Sequence, residues 1–206
     1  MAADNIGKWT AGAFYGPVLS QTDLYLLNTE LELNPILANQ NANFHLVFNV
    51  ITGQTGGFNP DARDRDLQFT EKDQPATLPR VQQLIIITNV SPWCTIVKNE
   101  RGVTMNDVCT TVWKDYTENF VTDPEFAALA PRLQEQVKRM AAHNQAGAGG
   151  WPGGYYATPP TAPARYKRVD WLRERTFFEG LRKDNNYAQS RLGFKAPNIF
   201  VMDLVA

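Results

Sequence analysis

Hydrophobic and polar positions change period several times along the chain, and each change marks an element. Leu84-Ile85-Ile86-Ile87 is an unbroken apolar run, the pattern of a strand buried on both faces. Ser91-Pro92 punctuates it, and Thr95, Ile96 and Val97 resume strand chemistry. Asn99 to Gly102 closes the pair, with glycine free to take positive φ. The period then becomes helical. Met105, Val108, Cys109, Val112 and Tyr116 share one face, behind Thr104 as N-cap and Asp107 at the capping-box position. Leu84 to Trp113 is therefore predicted to fold as strand, turn, strand, turn, helix.

Upstream, Ser20 or Thr22 is placed to cap a short helix over Asp23 to Glu30, with Leu24, Leu27 and Leu31 on one face. Asn34-Pro35 ends it, because a residue before proline is pushed out of the α region. Phe44, Leu46, Phe48 and Val50 alternate with more polar neighbours and predict a strand with one apolar face. Downstream, Thr122 opens a second helix, with Pro124 and Glu125 in its first turn. Pro131 restarts the helix, whose stripe is Leu133, Val137, Met140 and Ala141. Tyr166 to Trp171 and Thr176 to Leu181 read as a hairpin turning at Arg173-Glu174-Arg175. Lys183 to Phe194 reads as a polar loop or short helix, and Ile199 to Val205 as a docked central strand.

Two stretches lack a period. Gly53 to Pro75 contains GQTGG and DARDRD and reads as a solvated loop; the Gly-Lys-Ser/Thr ending of a phosphate loop is missing. Asn144 to Ala164 is rich in glycine and proline and reads as a flexible surface excursion. Trp151, Tyr155 and Tyr156 within it are unusual for such a tract. The summed pattern is an α+β fold: a mixed or antiparallel sheet with helices packed mainly on one face. The order strand–strand–helix–strand–strand is analogous to a β-grasp. Residues 1–30 form an N-terminal extension with a short helix. Residues 31–206 form one α+β domain with long loops at 53–75 and 144–164.

Composition narrows the function. The 206 residues carry a formal net charge of −1 with 20% charged residues, so there is no broad basic field for nucleic acid and no polybasic patch for a membrane. Cys94 and Cys109 are the only cysteines, which argues against a disulfide scaffold and against a structural zinc site. The opening MAADNIGKWTAG lacks the apolar core of a signal peptide, and no apolar run is long enough to span a bilayer. An intracellular, cytoplasmic protein is expected.

Few residues offer chemistry. His45 and His143 are the only histidines, and neither has a nucleophile or second ligand at motif spacing. Cys109 reads as a core hydrophobe, and Cys94, at a turn, as more exposed. Asp170, Arg173 and Arg175 form the most distinctive polar cluster. An inward Asp170 needs a partner, for which Arg168, Arg175 or Arg182 is available; Asp203 poses the same question. A salt bridge fixing the hairpin is the plain reading. A carboxylate–guanidinium pair lining a pocket with Trp93 and Trp171 is the functional one. Trp93, Trp113 and Trp171 are expected to pack near one another in the core. No cofactor or metal site is predicted.

Several segments, in order, carry a family resemblance. They are Leu33-Asn34-Pro35-Ile36-Leu37, Leu78-Pro79-Arg80, the strand Leu84-Ile85-Ile86, and Ser91-Pro92-Trp93. The helix start Gly102-Val103-Thr104-Met105-Asn106-Asp107-Val108 follows, and then Arg168-Val169-Asp170-Trp171-Leu172 with Thr176-Phe177-Phe178-Glu179-Gly180-Leu181. On these, residues Leu31 to Val205 resemble a large family of basidiomycete fungal proteins catalogued as domain of unknown function 6699. This chain departs from it in the lengths of the loops Gly53 to Pro75 and Asn144 to Ala164. The resemblance implies a small intracellular fungal α+β domain and no assigned activity.

Two functions are then in play. One is a non-enzymatic module that presents a sheet edge, or the loop with Trp151, Tyr155 and Tyr156, to a protein partner. The other is a small-molecule binder or enzyme whose pocket holds Asp170 and nearby arginines.

Overall fold

A computed structural model describes residues 8–12, 16–59, 61–148 and 165–206. The chain runs through α1 (Gln21–Leu27), β1 (Glu32–Leu33), β2 (His45–Phe48), β3 (Thr55–Asn59) and β4 (Ala62–Leu67). A 3-10 turn (Thr70–Asp73), β5 (Thr77–Leu78), β6 (Gln83–Thr88), β7 (Cys94–Lys98) and α2 (Met105–Glu118) follow. Then come α3 (Asp123–Ala127), α4 (Pro131–Ala148), α5 (Arg168–Leu172), β8 (Phe177–Arg182), α6 (Asn185–Leu192) and β9 (Ile199–Val205). The architecture is α+β.

The main sheet has four strands in the order β7-β6-β9-β8. β6 pairs antiparallel with β7 and parallel with β9, whereas β9 pairs antiparallel with β8. The carboxy-terminal strand is thus central, as its apolar run predicts. Leu84 and Ile86 face the main core, while Ile87 joins Ala188, Ile199 and Val201 in a second cluster under α6. Burial on both faces is what turns β6 and β9 into continuous apolar runs. α2 lies on the main-core side with Met105, Val108, Cys109, Val112 and Tyr116 all buried. Burying side chains of this size stabilises by about 1.5–3 kcal/mol each. The Thr104 hydroxyl accepts the Asp107 N–H at 3.1 Å, and the Asp107 carboxylate accepts the Thr104 N–H at 2.9 Å, so both ends of the expected capping box are made.

Four expectations need correction. The excursion expected from Asn144 starts later, because α4 runs on through Ala148 and the Asn144 amide is held by Asp170 at 2.8 Å. The stretch from Gly53 to Pro75 is no solvated loop: β3 and β4 pair with β2 in a three-stranded antiparallel sheet. Its glycines had hidden the strand. At Gly57 an added Cβ would run into the Phe44 ring and the His45 carbonyl, so the position holds glycine for close packing. The small sheet abuts the main one through the Asn49–Phe177 bridge and the Val50 N–H donating to the Thr176 carbonyl at 2.9 Å.

The expected hairpin around Trp171 is a helix followed by a strand. Arg168 to Leu172 coil into α5 because the Asp170 carboxylate takes the Lys167 N–H at 2.8 Å, closing the first turn, while Val169 and Leu172 bury together. Finally, α1 is capped by Ser20 and stops at Asn28 in the left-handed region, shorter than its leucine spacing suggests. Leu24 is buried, but Leu27 is exposed. The segment before residue 31 is tied into the domain, with the Leu19 N–H donating to the Arg80 carbonyl at 2.8 Å. No helix among the described residues is long and apolar enough to cross a membrane.

Candidate ligand-binding cleft

α4 packs against α5, and the chain leaves α5 through a sharp turn into β8. Between them opens a cleft of about 530 Å³. Gln136, Arg139 and Met140 reach it from one face of α4, where i, i+3 and i+4 coincide. Leu172 and Arg173 come from the end of α5, Arg175 from the turn, and Leu204 from the end of β9. Met140, Leu172 and Leu204 give the cleft an apolar side, and Arg139, Arg173 and Arg175 a cationic one.

Among the described residues no carboxylate forms an ion pair with Arg139, Arg173 or Arg175. Arg173 donates from one terminal nitrogen to the Gln136 side-chain oxygen at 3.1 Å, which ties it to α4. Arg139 and Arg175 are exposed. Among the described residues the acidic groups on the cleft wall are the Glu174 side chain and the main-chain carboxylate of Ala206. Arg173 also sits at φ 59° and ψ −119°, a conformation L-residues rarely adopt.

Asp170 does not line this cleft. It is buried, and none of the three arginines expected to neutralise it does so. The Asn144 amide donates to one of its oxygens at 2.8 Å and the Lys167 N–H to the other at 2.8 Å. Burial pushes its carboxyl above the ordinary value, against the pull of those two bonds. Arg168 pairs instead with Asp115 at 2.7 Å, and Arg182 with Asp184 at 2.6 Å and Asp203 at 2.8 Å. Asp203 is partly exposed and shares Arg182 with Asp184.

Trp93 and Trp171 lie in a different neighbourhood. Their rings meet edge to face with centroids 5.1 Å apart, and the Arg168 guanidinium stands 4.8 Å over Trp93. The Trp93 indole donates to Glu125 at 2.7 Å, and the Trp171 indole to the Val90 carbonyl at 3.1 Å. Burial acts to raise Glu125, but its bonds from Thr122 and Trp93 outweigh it and hold the carboxyl below its ordinary value. Both indole N–H groups are satisfied, so this cluster fixes the Ser91-Pro92-Trp93 turn against α2, α3 and α5. Trp113 lies beneath Gly53, where a Cβ would stand 2.7 Å from its ring.

The His45 ring lies tilted beside Phe58 with centroids 4.7 Å apart, and His143 is exposed on α4. Cys94 is exposed; Cys109 is buried, and desolvation pushes its thiol up to about 12. Among the described residues no three His, Cys, Asp or Glu side chains gather to hold a metal. Trp151, Tyr155 and Tyr156 lie outside the described residues. Sequence reasoning missed Lys183: its ammonium donates to the carbonyls of Ala196, Pro197 and Ile199 at 2.5, 2.7 and 3.1 Å, holding the approach to β9. It missed Arg139 as well, which no local motif links to Arg173.

No curated protein and no solved structure matches the chain. A family model described as "Family of unknown function (DUF6699)" matches residues 47–190, from within β2 to within α6. On a match over well more than half its length, the chain belongs to the DUF6699 family.

Proposed function

We propose that the chain is a protein-interaction module that holds an acidic segment of a partner in the arginine cleft. One observation carries this reading: Arg139, Arg173 and Arg175 converge beside an apolar wall without an ionic partner among the described residues. Arg168 and Arg182 make the contrast, since each is neutralised by its own carboxylate. Exposed guanidinium groups held near one another repel, and an anionic partner relieves that repulsion. The apolar wall adds contact area for neighbouring side chains of the bound segment.

The pocket reading built on Asp170 is weaker, because its two oxygens are already engaged by Asn144 and Lys167. Two thiols without a disulfide suit work inside the cell, and the likeness to basidiomycete proteins makes fungal cytoplasm the setting we favour.

The test is anisotropy of fluorescein-labelled peptide pools with the purified chain. An acid-rich pool is expected to bind, to weaken steeply with salt, and to lose affinity in R139Q and R175Q. Equal binding of acid-rich and neutral pools, or no binding of either, overturns the reading.

A further inference from the structure

We infer that the anion this cleft takes is the phosphate of a phosphorylated serine or threonine in an extended segment of a partner protein. This rests on the acidic-segment reading above and sharpens it.

Charge is the first argument. Arg139, Arg173 and Arg175 bring three guanidinium charges to a cleft whose acidic groups among the described residues are Glu174 and the main-chain carboxylate of Ala206, and neither forms an ion pair with them. A phosphate monoester carries about −1.5 to −2 at neutral pH, whereas a carboxylate carries one charge. Three guanidinium groups without ion pairs are therefore served by more charge from one phosphate than from one carboxylate.

Direction is the second. The three guanidinium groups start from separate elements: α4, the end of α5, and the turn into β8. Each presents a planar fork of N–H donors. A phosphate monoester has three terminal oxygens to share among three such forks, whereas a carboxylate has two. Arg173 is fixed beforehand by its bond to Gln136 at 3.1 Å and by the backbone turn at φ 59°. Part of the ordering cost is therefore met before the ligand arrives.

The surroundings select a peptide. At about 530 Å³ the cleft exceeds what a phosphate group fills, and Met140, Leu172 and Leu204 line the remainder for an adjacent apolar side chain. Among the described residues no aromatic side chain lines it, and none of them offers a platform on which a nucleobase would stack.

The test uses the full chain and three degenerate peptide pools that differ only at a fixed central residue: phosphoserine, serine or glutamate. The phosphoserine pool is expected to bind at least tenfold more tightly than either other pool. Inorganic phosphate at tens of millimolar should displace it. R139Q and R175Q should each lower affinity several-fold with unchanged circular dichroism, since both residues are exposed and unpaired among the described residues. K138Q, whose parent lysine pairs with Glu135 outside the cleft, should bind as the parent does. If the glutamate pool binds as tightly as the phosphoserine pool, the phosphate inference falls and the acidic-segment reading stands. If neither binds, both fall. Tighter capture by phosphoinositide-containing vesicles than by the phosphoserine pool would overturn the protein partner in favour of a membrane.

Discussion

The Asn144 amide donates to the Asp170 carboxylate at 2.8 Å and so locks α4 to α5, the two helices that frame the cleft. The same carboxylate accepts the Lys167 N–H, so both oxygens are used. Asp170→Asn offers one acceptor where two are needed and turns its own amide toward a donor. A loss of about 1–3 kcal/mol is expected, the cost of a buried polar group left unsatisfied. Burial raises the Asp170 carboxyl above its ordinary 3.8, so between that value and the raised one the folded chain binds more protons than the unfolded. The Asp170 contribution to stability is then fully present below the window and is lost as pH rises through it. Urea titrations from pH 4 to 7 should show this slope in the parent chain relative to D170N. Identical slopes in both would refute the assignment.

Arg168 joins three elements: it pairs with Asp115 on α2 at 2.7 Å while its plane lies 4.8 Å over Trp93. Arg168→Met should cost about 1–2 kcal/mol, since the pair is partly solvated and the cation–π contact adds a modest share. Arg168→Lys should recover little, because a compact ammonium does not both stack and reach Asp115. Denaturant midpoints at unchanged m-value measure both. Full rescue by lysine would show that charge alone matters here.

The two thiols should separate cleanly. Cys94 is exposed on edge strand β7, whereas Cys109 is buried on α2 with its thiol pushed up to about 12. Native chain is expected to react with one equivalent of a disulfide reagent at pH 8, and the second only in denaturant. Cys94→Ser should leave the native chain unreactive. Rapid reaction of C94S would mean that α2 opens readily from the sheet.

What the sequence made legible follows from the range of the forces involved. α2 was readable in full because its face and its Thr104–Asp107 cap are local features. β9 was readable because burial on both faces leaves one continuous apolar run. β3 was not, because Gly57 answers to the ring of Phe44, just before the neighbouring strand β2, and carries no alternation of its own. Arg168 to Leu172 looked like a strand on β-favouring Val169 and Trp171, but a single carboxylate bond at Lys167 and the packing of Val169 and Leu172 decided for a helix. The cleft was half legible. Arg173 and Arg175 stand out together, but Arg139 and Asn144 enter only through the packing of α4 on α5, which leaves no mark on either segment alone.

Arg173 holds a backbone conformation at φ 59° that costs an L-residue about 1–3 kcal/mol, yet its side chain lines the cleft. Arg173→Gly removes that strain and adds about 0.5–1 kcal/mol of backbone entropy cost. A net gain of about 1 kcal/mol is expected, or a rise in Tm of about 2–4 °C for a chain of this size. Arg175→Gly makes the control, since Arg175 is not among the residues at positive φ and should lose stability instead. The two substitutions remove the same charge from the same cleft but differ in strain, so opposite shifts in Tm isolate the backbone. If R173G also weakens capture of the acidic pool, the strain is retained for the guanidinium it positions. If both variants melt alike, the turn is not strained and Arg173 is not held in readiness for a ligand.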